Sequence, residues 1–328
     1  MKKDIYFEEN YGELYEEIEN GKAKIFSYED ENGKITNQFL IREIPYKING
    51  VTYFDIVTPY GYGGPIIEYC INNKENELVE AFEKKFKEYS IKNNIVSEFV
   101  RFHPILNNVE FFKEKYNSQC IRKTLGTNLK DFEDPIASEF SKSCRKNIRQ
   151  AINKGITYKI TESPNDLKKF KEIYYSTMDR NHATDYYYFE EEYFSKILKK
   201  FRENIILVEA IFEEKTIASG LYFVYNNTIH IHLSGTLSQY LFLSPAYILR
   251  YAVTKWGKEK GYELIHHGGG RTNDEKDTLF TFKKGFAKNT EFDFYIGKKI
   301  WNEEIYDKLC EVRKVGKNQD FFPAYRKD

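Results

Sequence analysis

A chain of 328 residues is about twice the usual length of one domain, and 41% hydrophobic, 17% aromatic and 30% charged residues are ample material for packed cores. Those proportions exclude disordered, collagen-like and low-complexity classes. Charge cancels over the whole chain, 50 basic against 50 acidic, which argues against a nucleic-acid binder that works by bulk electrostatics. No apolar run approaches the roughly 18 residues of a membrane span, and the start MKKDIYFEEN lacks an apolar signal core, so a soluble, cytoplasmic protein is expected.

Cancellation hides an asymmetry. Residues 1–137 carry 18 Lys and Arg against 24 Asp and Glu, and residues 138–328 carry 32 against 26, so the later part is the expected place for an anionic ligand. The densest basic stretch is 141–155, with Lys142, Arg145, Lys146, Arg149 and Lys154 and no acid. Ser141 can cap a helix there that Gly155 ends, with Cys144, Ile148, Ala151 and Ile152 on one face. Cys70, Cys120, Cys144 and Cys310 lie far apart and form no CxxC pair, so neither a zinc knuckle nor a disulfide framework is indicated.

In chain order, strands are predicted at 23–28, 38–44 and 51–57, the first two joined at Glu31-Asn32-Gly33, followed by the turn Tyr60-Gly61-Tyr62-Gly63-Gly64-Pro65. A helix over 75–92 carries the stripe Leu78, Phe82, Phe86 and Tyr89, and 97–102 is a strand. After the basic helix come a strand at 157–161, helices at 166–176 and 189–201, and strands at 205–212, 217–225 and 228–234. A helix over 246–260 closes at Gly261, 262–266 is a strand ending in His267-Gly268-Gly269-Gly270, 279–286 is a short helix and 292–296 the last strand. Both halves thus run hairpin, strand, helix, strand, strand. A duplicated α/β unit is expected, with domains at 1–137 and 138–328 and a mostly antiparallel sheet that opens at one point to hold an acyl donor or acceptor.

Several stretches, taken together and in order, carry a family resemblance: Tyr60 to Pro65, Arg145-Lys146-Asn147-Ile148-Arg149-Gln150-Ala151, His232-Leu233-Ser234-Gly235-Thr236, Ser244-Pro245-Ala246, Trp256 to Tyr262, His266-His267-Gly268-Gly269-Gly270 and Phe282-Lys283-Lys284-Gly285-Phe286. Over residues of about 60 to 300 the chain resembles the FemABX peptidoglycan-bridge aminoacyltransferases and the related BioF2-like acyltransferases. That resemblance implies an α/β (α+β) chain of two tandem GNAT-like acyltransferase domains, each a mostly antiparallel mixed sheet flanked by helices, with the main site in the second. It implies transfer of an aminoacyl or acyl group to an amine of a cell-envelope precursor, with no covalent enzyme intermediate and no permanently bound cofactor. The donor implied is aminoacyl-tRNA, with an acyl-CoA thioester as the alternative. The acceptor is a nucleotide- or lipid-linked muropeptide, which allows peripheral membrane contact. One departure bears on the donor. Acetyl-coenzyme A users carry a glycine-containing loop after the central strand to hold the pyrophosphate, whereas 237–244 here reads Leu-Ser-Gln-Tyr-Leu-Phe-Leu-Ser.

The chemistry points to some of the same residues. Acyl transfer to an amine passes through a tetrahedral oxyanion, which needs a cation or hydrogen-bond donors, and the attacking nitrogen must lose a proton. The resemblance ties Lys283 to catalysis, between Phe282 and Phe286, and His267 is the candidate proton acceptor. Arg180 matches the family's Thr-x-x-Arg site for acceptor phosphates, a task that suits a planar guanidinium; an ordinary cation at a helix C-terminus is the plain alternative. Gly268, Gly269, Gly270 and Arg271 are read as a turn whose amides approach a ligand, and Tyr62, His232, Ser234 and Phe282 as further substrate contacts. Arg145, Lys146 and Arg149 are candidates for RNA or phosphate contact, with the aromatic patch 185–189 beside them. His230, His232, His266 and His267 raise a zinc reading, but no Asp, Glu or Cys accompanies them at ligand spacing and no metal is expected. Asp274, Glu275 and Asp277 read as a polar loop. The rival functions are a GNAT-fold N-acyltransferase acting on an amino sugar in polysaccharide biosynthesis and a non-catalytic RNA- or glycan-binding module.

Overall fold

The computed structural model describes residues 3–272, 274, 276–317 and 319–327, and the chain divides into two compact units, Met1–Arg122 with Asp293–Asp328, and Lys123–Phe292.

The first unit opens with a short helix α1 (Glu9–Glu13) and a hairpin of β1 (Gly21–Asp30) and β2 (Gly33–Glu43). Asn32 in its turn donates its amide to Asp30 Oδ1 at 2.8 Å. β2 pairs antiparallel with β3 (Phe54–Val57) and also with β4 (Ile66–Cys70). Helix α2 (Glu75–Lys92) then crosses to β5 (Ile95–Arg101), which lies parallel to β3. α2 has acids in its first turn, Lys92 in its last, and Leu78, Val79, Phe82 and Phe86 on the buried face, the charge order and spacing that a surface helix requires. That face joins a core with Ile35, Phe39, Ile56, Ile95 and Val100. A single turn, α3 (Val109–Phe112), precedes β6 (Asn117–Asn128).

From Lys123 onward the chain builds the second unit: α4 (Pro135–Glu139), α5 (Lys142–Asn153), β7 (Thr157–Glu162), α6 (Lys168–Arg180), α7 (Glu191–Phe201), β8 (Ile205–Phe212), β9 (Lys215–Tyr225), β10 (Thr228–Thr236), α8 (Pro245–Glu259), β11 (Leu264–Gly268) and α9 (Thr278–Lys284). β7, β8, β9 and β10 are antiparallel neighbours, β10 and β11 are parallel, and β11 pairs antiparallel with β6. Helix α8 starts at Pro245 and buries Ile248, Leu249, Ala252 and Val253 in the core with Tyr222, Ile229 and Ile265. The chain ends with β12 (Glu291–Ile300), antiparallel to β5, and α10 (Glu303–Arg313), whose Tyr306 and Leu309 share a first-unit core with Ile44, Val96 and Tyr325.

The two units share a plan of two antiparallel strands, a third strand, a helical crossover, a parallel neighbour and an antiparallel final strand. The boundary, however, is not at 137/138. β5 takes its final neighbour from β12, near the end of the chain, while β11 takes its own from β6, ahead of α4. The division therefore falls at Arg122 and Lys123, and residues from Asp293 onward belong to the first unit. β4, β6, α1 and α10 add to the elements read from sequence.

The parallel seam differs between the units. In the first, β3 and β5 stay paired from Phe54 and Ile95 to Val57 and Phe99, and the Thr58 amide (3.0 Å to Phe99 O) and the Gly63 amide (2.8 Å to Arg101 O) continue the contact. In the second, β10 and β11 pair only through Thr228–His230 and Leu264–His266. Beyond those residues β10 follows β9 as far as Thr236, with a bulge between Ile231 and Leu233, while β11 follows β6 as far as Gly268 and Leu125. The strands part there, so main-chain groups that would pair across the seam face an opening in the sheet.

Candidate active site

Two turns and a helix border the opening at the end of β11. Gly268 has φ +70°, the left-handed conformation that glycine tolerates, and starts the turn toward α9. Asp277 caps α9: its carboxylate accepts the Phe280 amide at 2.8 Å and the Arg271 and Thr272 amides at 2.9 Å each. Those backbone amides, led by that of Phe280, hold its carboxyl down to about 2. A Cβ at Gly270 would lie 2.8 Å from the Asp277 carboxyl, so glycine is what lets the turn close on its cap. The Arg271 and Thr272 amides are thus occupied by a side chain, which corrects the reading of that part of the loop as ligand-facing, and the exposed Arg271 side chain lies beyond it. Asp274 is exposed and Glu275 lies outside the described residues. Replacing Asp277 with alanine should remove about 1–2 kcal/mol of stability and lower turnover more than this loss explains, measured as melting temperature against rate at a temperature where the variant stays folded.

With the turn fixed, α9 directs the half-buried Lys283 back across it, and its Nζ donates to Gly269 O at 2.6 Å. Phe282 packs against Tyr247 and Phe286, with ring centres 5.3 and 5.1 Å apart, and so serves the core.

His267 is buried on β11. Thr127 Oγ1 donates its single proton to Phe286 O at 2.8 Å and lies 2.8 Å from His267 Nε2. Nε2 must therefore be the donor in that second bond, which leaves the Nδ1 lone pair as the ring's acceptor. Nδ1 is buried and, among the described residues, has no hydrogen-bond partner. Burial, then Arg250, then Lys283 push the imidazole well below its ordinary range, so it is neutral near pH 7.

Arg250 is the residue that sequence reasoning missed. It stands on the largely apolar buried face of α8, 6% exposed, and donates from Nη1 to Tyr222 Oη at 2.7 Å. Among the described residues its Nε has no hydrogen-bond partner and no carboxylate pairs with it. Tyr222 reaches it by lying along its own strand over Gly220, where a Cβ would fall 2.4 Å from the hydroxyl oxygen. A buried cation without a counter-charge costs several kcal/mol and is retained where an anion arrives. An arginine between Ile248 and Val253 in an apolar helical stripe was the available signal.

On the other side of the opening, α6 holds the end of β10. Thr177 Oγ1 accepts the Thr236 amide at 2.8 Å, and Arg180 Nη1 donates to Thr236 O at 2.6 Å and to Ser238 Oγ at 3.2 Å. Arg180 thereby secures the strand end. His232 Nε2 lies 2.6 Å from Tyr193 Oη, and burial together with His230 lowers its pKa to about 3. Ser234 Oγ is buried and has no hydrogen-bond partner among the described residues.

The remaining candidates are elsewhere. Tyr62 belongs to the first unit, in a ring cluster with Tyr6, His103 and Phe294. Arg145 turns back to cap α4 through Ala137 O and Phe140 O at 2.6 and 2.8 Å, so it is not an outward cation, whereas Lys146 and Arg149 are exposed on α5. In the 185–189 patch the backbone is pinned by the hydroxyls of Tyr174 and Tyr175 at 2.8 and 2.6 Å. Two open grooves, of about 360 and 530 Å³, are both lined by first-unit residues, Glu9 to Ile25 in one and Asn117 with Lys298 to Phe322 in the other. The second-unit candidates are brought together by the parted strands and by charge.

Residues 139–283, which include α5, the parted strands and Lys283, match the model of the acetyltransferase (GNAT) domain. Over 170 residues, 51% of this chain, the sequence is 22% identical to the UDP-N-acetylmuramoylpentapeptide-lysine N(6)-alanyltransferase of Weissella viridescens, and the chain spans about half (49%) of that relative's length. The crystal structure of FemX superposes with a TM-score of 0.70 at 13% identity, over 94% of both chains. L-PGS from Bacillus licheniformis does so with a TM-score of 0.56 at 14% identity, over 94% of this chain and 98% of that one. At such identities the solved structures establish the fold. The matched acetyltransferase (GNAT) domain lies in the second unit, and the fold of the whole chain is that of FemX. The sequence likeness to the Weissella alanyltransferase covers about half of each chain.

Proposed function

We propose that the chain transfers an aminoacyl group from an aminoacyl-tRNA ester to an amine of a peptidoglycan precursor, by direct attack. The observation that carries this reading is the cluster beside the parted strands: a buried imidazole whose Nδ1 has no partner among the described residues, kept neutral by burial and by two nearby cations, Arg250 and Lys283. The acceptor amine adds to the ester carbonyl as it loses a proton, and His267 Nδ1 is the group able to take that proton. Negative charge then collects on the former carbonyl oxygen, where the Lys283 ammonium and the Arg250 guanidinium are the available donors. Collapse breaks the ester bond, forms the amide and returns the proton to the departing ribose hydroxyl, so no nucleophile on the protein is used.

The amine acceptor is supported by the name of the Weissella relative, a lysine N(6)-alanyltransferase acting on a UDP-linked muramoylpentapeptide. An ester donor fits the stretch 237–244, which forms a tight turn of 3₁₀ helix with exposed Leu241 and Phe242 where a thioester user would hold a pyrophosphate in glycine-rich backbone. The test is to incubate the protein with tRNA charged with labelled alanine and a UDP-linked muramoylpentapeptide, and to follow label into the peptide by mass spectrometry. Acetyl-CoA and longer acyl thioesters with amino sugars form the second arm. Turnover confined to that arm would overturn the proposal in favour of an amino-sugar acyltransferase.

A further inference from the structure

The surface formed by α5 and the turn Ser238–Leu243 supplies none of the reacting groups named above and is unusual in composition. Leu243 is buried in the second-unit core, and Ser244 follows it in a left-handed conformation at φ +56°. This anchor holds the two preceding side chains outward: Phe242 is 70% exposed and Leu241 48%. Ile152, at the end of α5, is 42% exposed. Lys154 joins the two elements, with its Nζ 3.3 Å from Phe242 O and 5.7 Å from the centre of the Phe242 ring. Along the outer face of α5 stand Lys142, Lys146 and Arg149, all exposed, and the helix contains no acid. Lys215 lies over the Tyr240 ring at 5.4 Å.

We propose that this face docks on the surface of an anionic lipid bilayer, with Phe242 and Leu241 entering the acyl boundary and the α5 cations resting among the phosphates. Apolar side chains that protrude amid cations are matched by a medium that is hydrocarbon just below a layer of negative charge. Two other occupants fit less well. Bases of RNA stack on aromatic rings, but Leu241 and Ile152 are aliphatic and gain nothing from stacking. A second copy of the chain would bring one cationic α5 against another. The proposal does not rest on the reaction proposed above, because it concerns binding in the absence of any donor.

Its test is co-sedimentation of the whole protein with vesicles of phosphatidylcholine alone and of equal parts phosphatidylcholine and phosphatidylglycerol. Binding is expected to the mixed vesicles only and to weaken as salt is raised. A Leu241→Gln/Phe242→Gln variant and an Arg149→Glu variant should each bind at least about tenfold more weakly, with melting temperatures unchanged because all three side chains are exposed. Failure to sediment with the mixed vesicles, or parent-like binding by the Leu241/Phe242 variant, would overturn the proposal. So would retention of uncharged tRNA by the parent under conditions where mixed vesicles are not bound.

Discussion

Lys283→Ala is expected to lower kcat/KM for amide formation by about 10²- to 10³-fold, the loss usual when one donor to a developing oxyanion is removed, equivalent to about 2.7–4 kcal/mol. The fall should lie mainly in kcat, because charge on the oxygen is absent from the bound ester and appears only as the amine attacks. Stability should change little. The side chain is half-buried and not part of the core, and it donates to Gly269 O, an acceptor at the mouth of the opening. Lys283→Arg separates charge from reach: guanidinium keeps the positive charge but is bulkier and donates in a plane, so partial activity would indicate that charge matters more than the placement of one proton. Equal KM and kcat effects, or full activity in the alanine variant, would remove the lysine from the mechanism and leave it as a brace on the glycine turn.

Much of this arrangement is legible in the sequence, and the failures have physical causes. The helix over Glu75–Lys92 is found because its stripe repeats at helical spacing and its terminal charges follow the dipole, and the basic helix because Ser141 caps it and Gly155 ends it, as the structure bears out with Ser141 Oγ accepting the Cys144 amide at 3.1 Å. The first hairpin is legible through its turn residues Glu31-Asn32-Gly33, where the Asn32 amide donates to Asp30 Oδ1 at 2.8 Å. β6 is not. Its run from Asn117 to Asn128 has polar residues at most positions and an exposed outer part, and what makes it a strand is pairing to β11, far away in sequence. The domain boundary fails for the same reason, since the partner of β5 is written near the end of the chain. α10 was readable, with Asn302 as its cap and Ile305, Tyr306, Leu309 and Cys310 at helical spacing. Of the site, Lys283 and His267 stood out because the family resemblance ties the first to catalysis and a histidine after a strand is conspicuous, yet nothing local distinguishes Arg145, which caps a helix, from Arg149, which points outward. Arg250 is a matter of burial, and burial is a property of the fold.

Arg250 also yields the sharpest separation of stability from activity. A methionine of similar length fills the same space without a buried charge, and replacing an uncompensated buried ion by an apolar side chain is commonly stabilising by about 1–4 kcal/mol. Arg250→Met should therefore melt higher than the parent, less a small penalty for the donor that Tyr222 Oη no longer receives. Activity should move the other way. Part of the oxyanion's positive surroundings is lost, and the acidity of His267 changes in a definite direction. Arg250 is the largest charge effect that disfavours the imidazolium, second only to burial, so its removal raises the His267 pKa toward the ordinary value. If neutral His267 accepts the proton, activity is present above that pKa and falls as the pH drops through it. The acid limb of kcat/KM should therefore lie at higher pH in Arg250→Met than in the parent. An arginine that merely braced Tyr222 would give the opposite pair of results, a variant that melts lower with an unmoved acid limb.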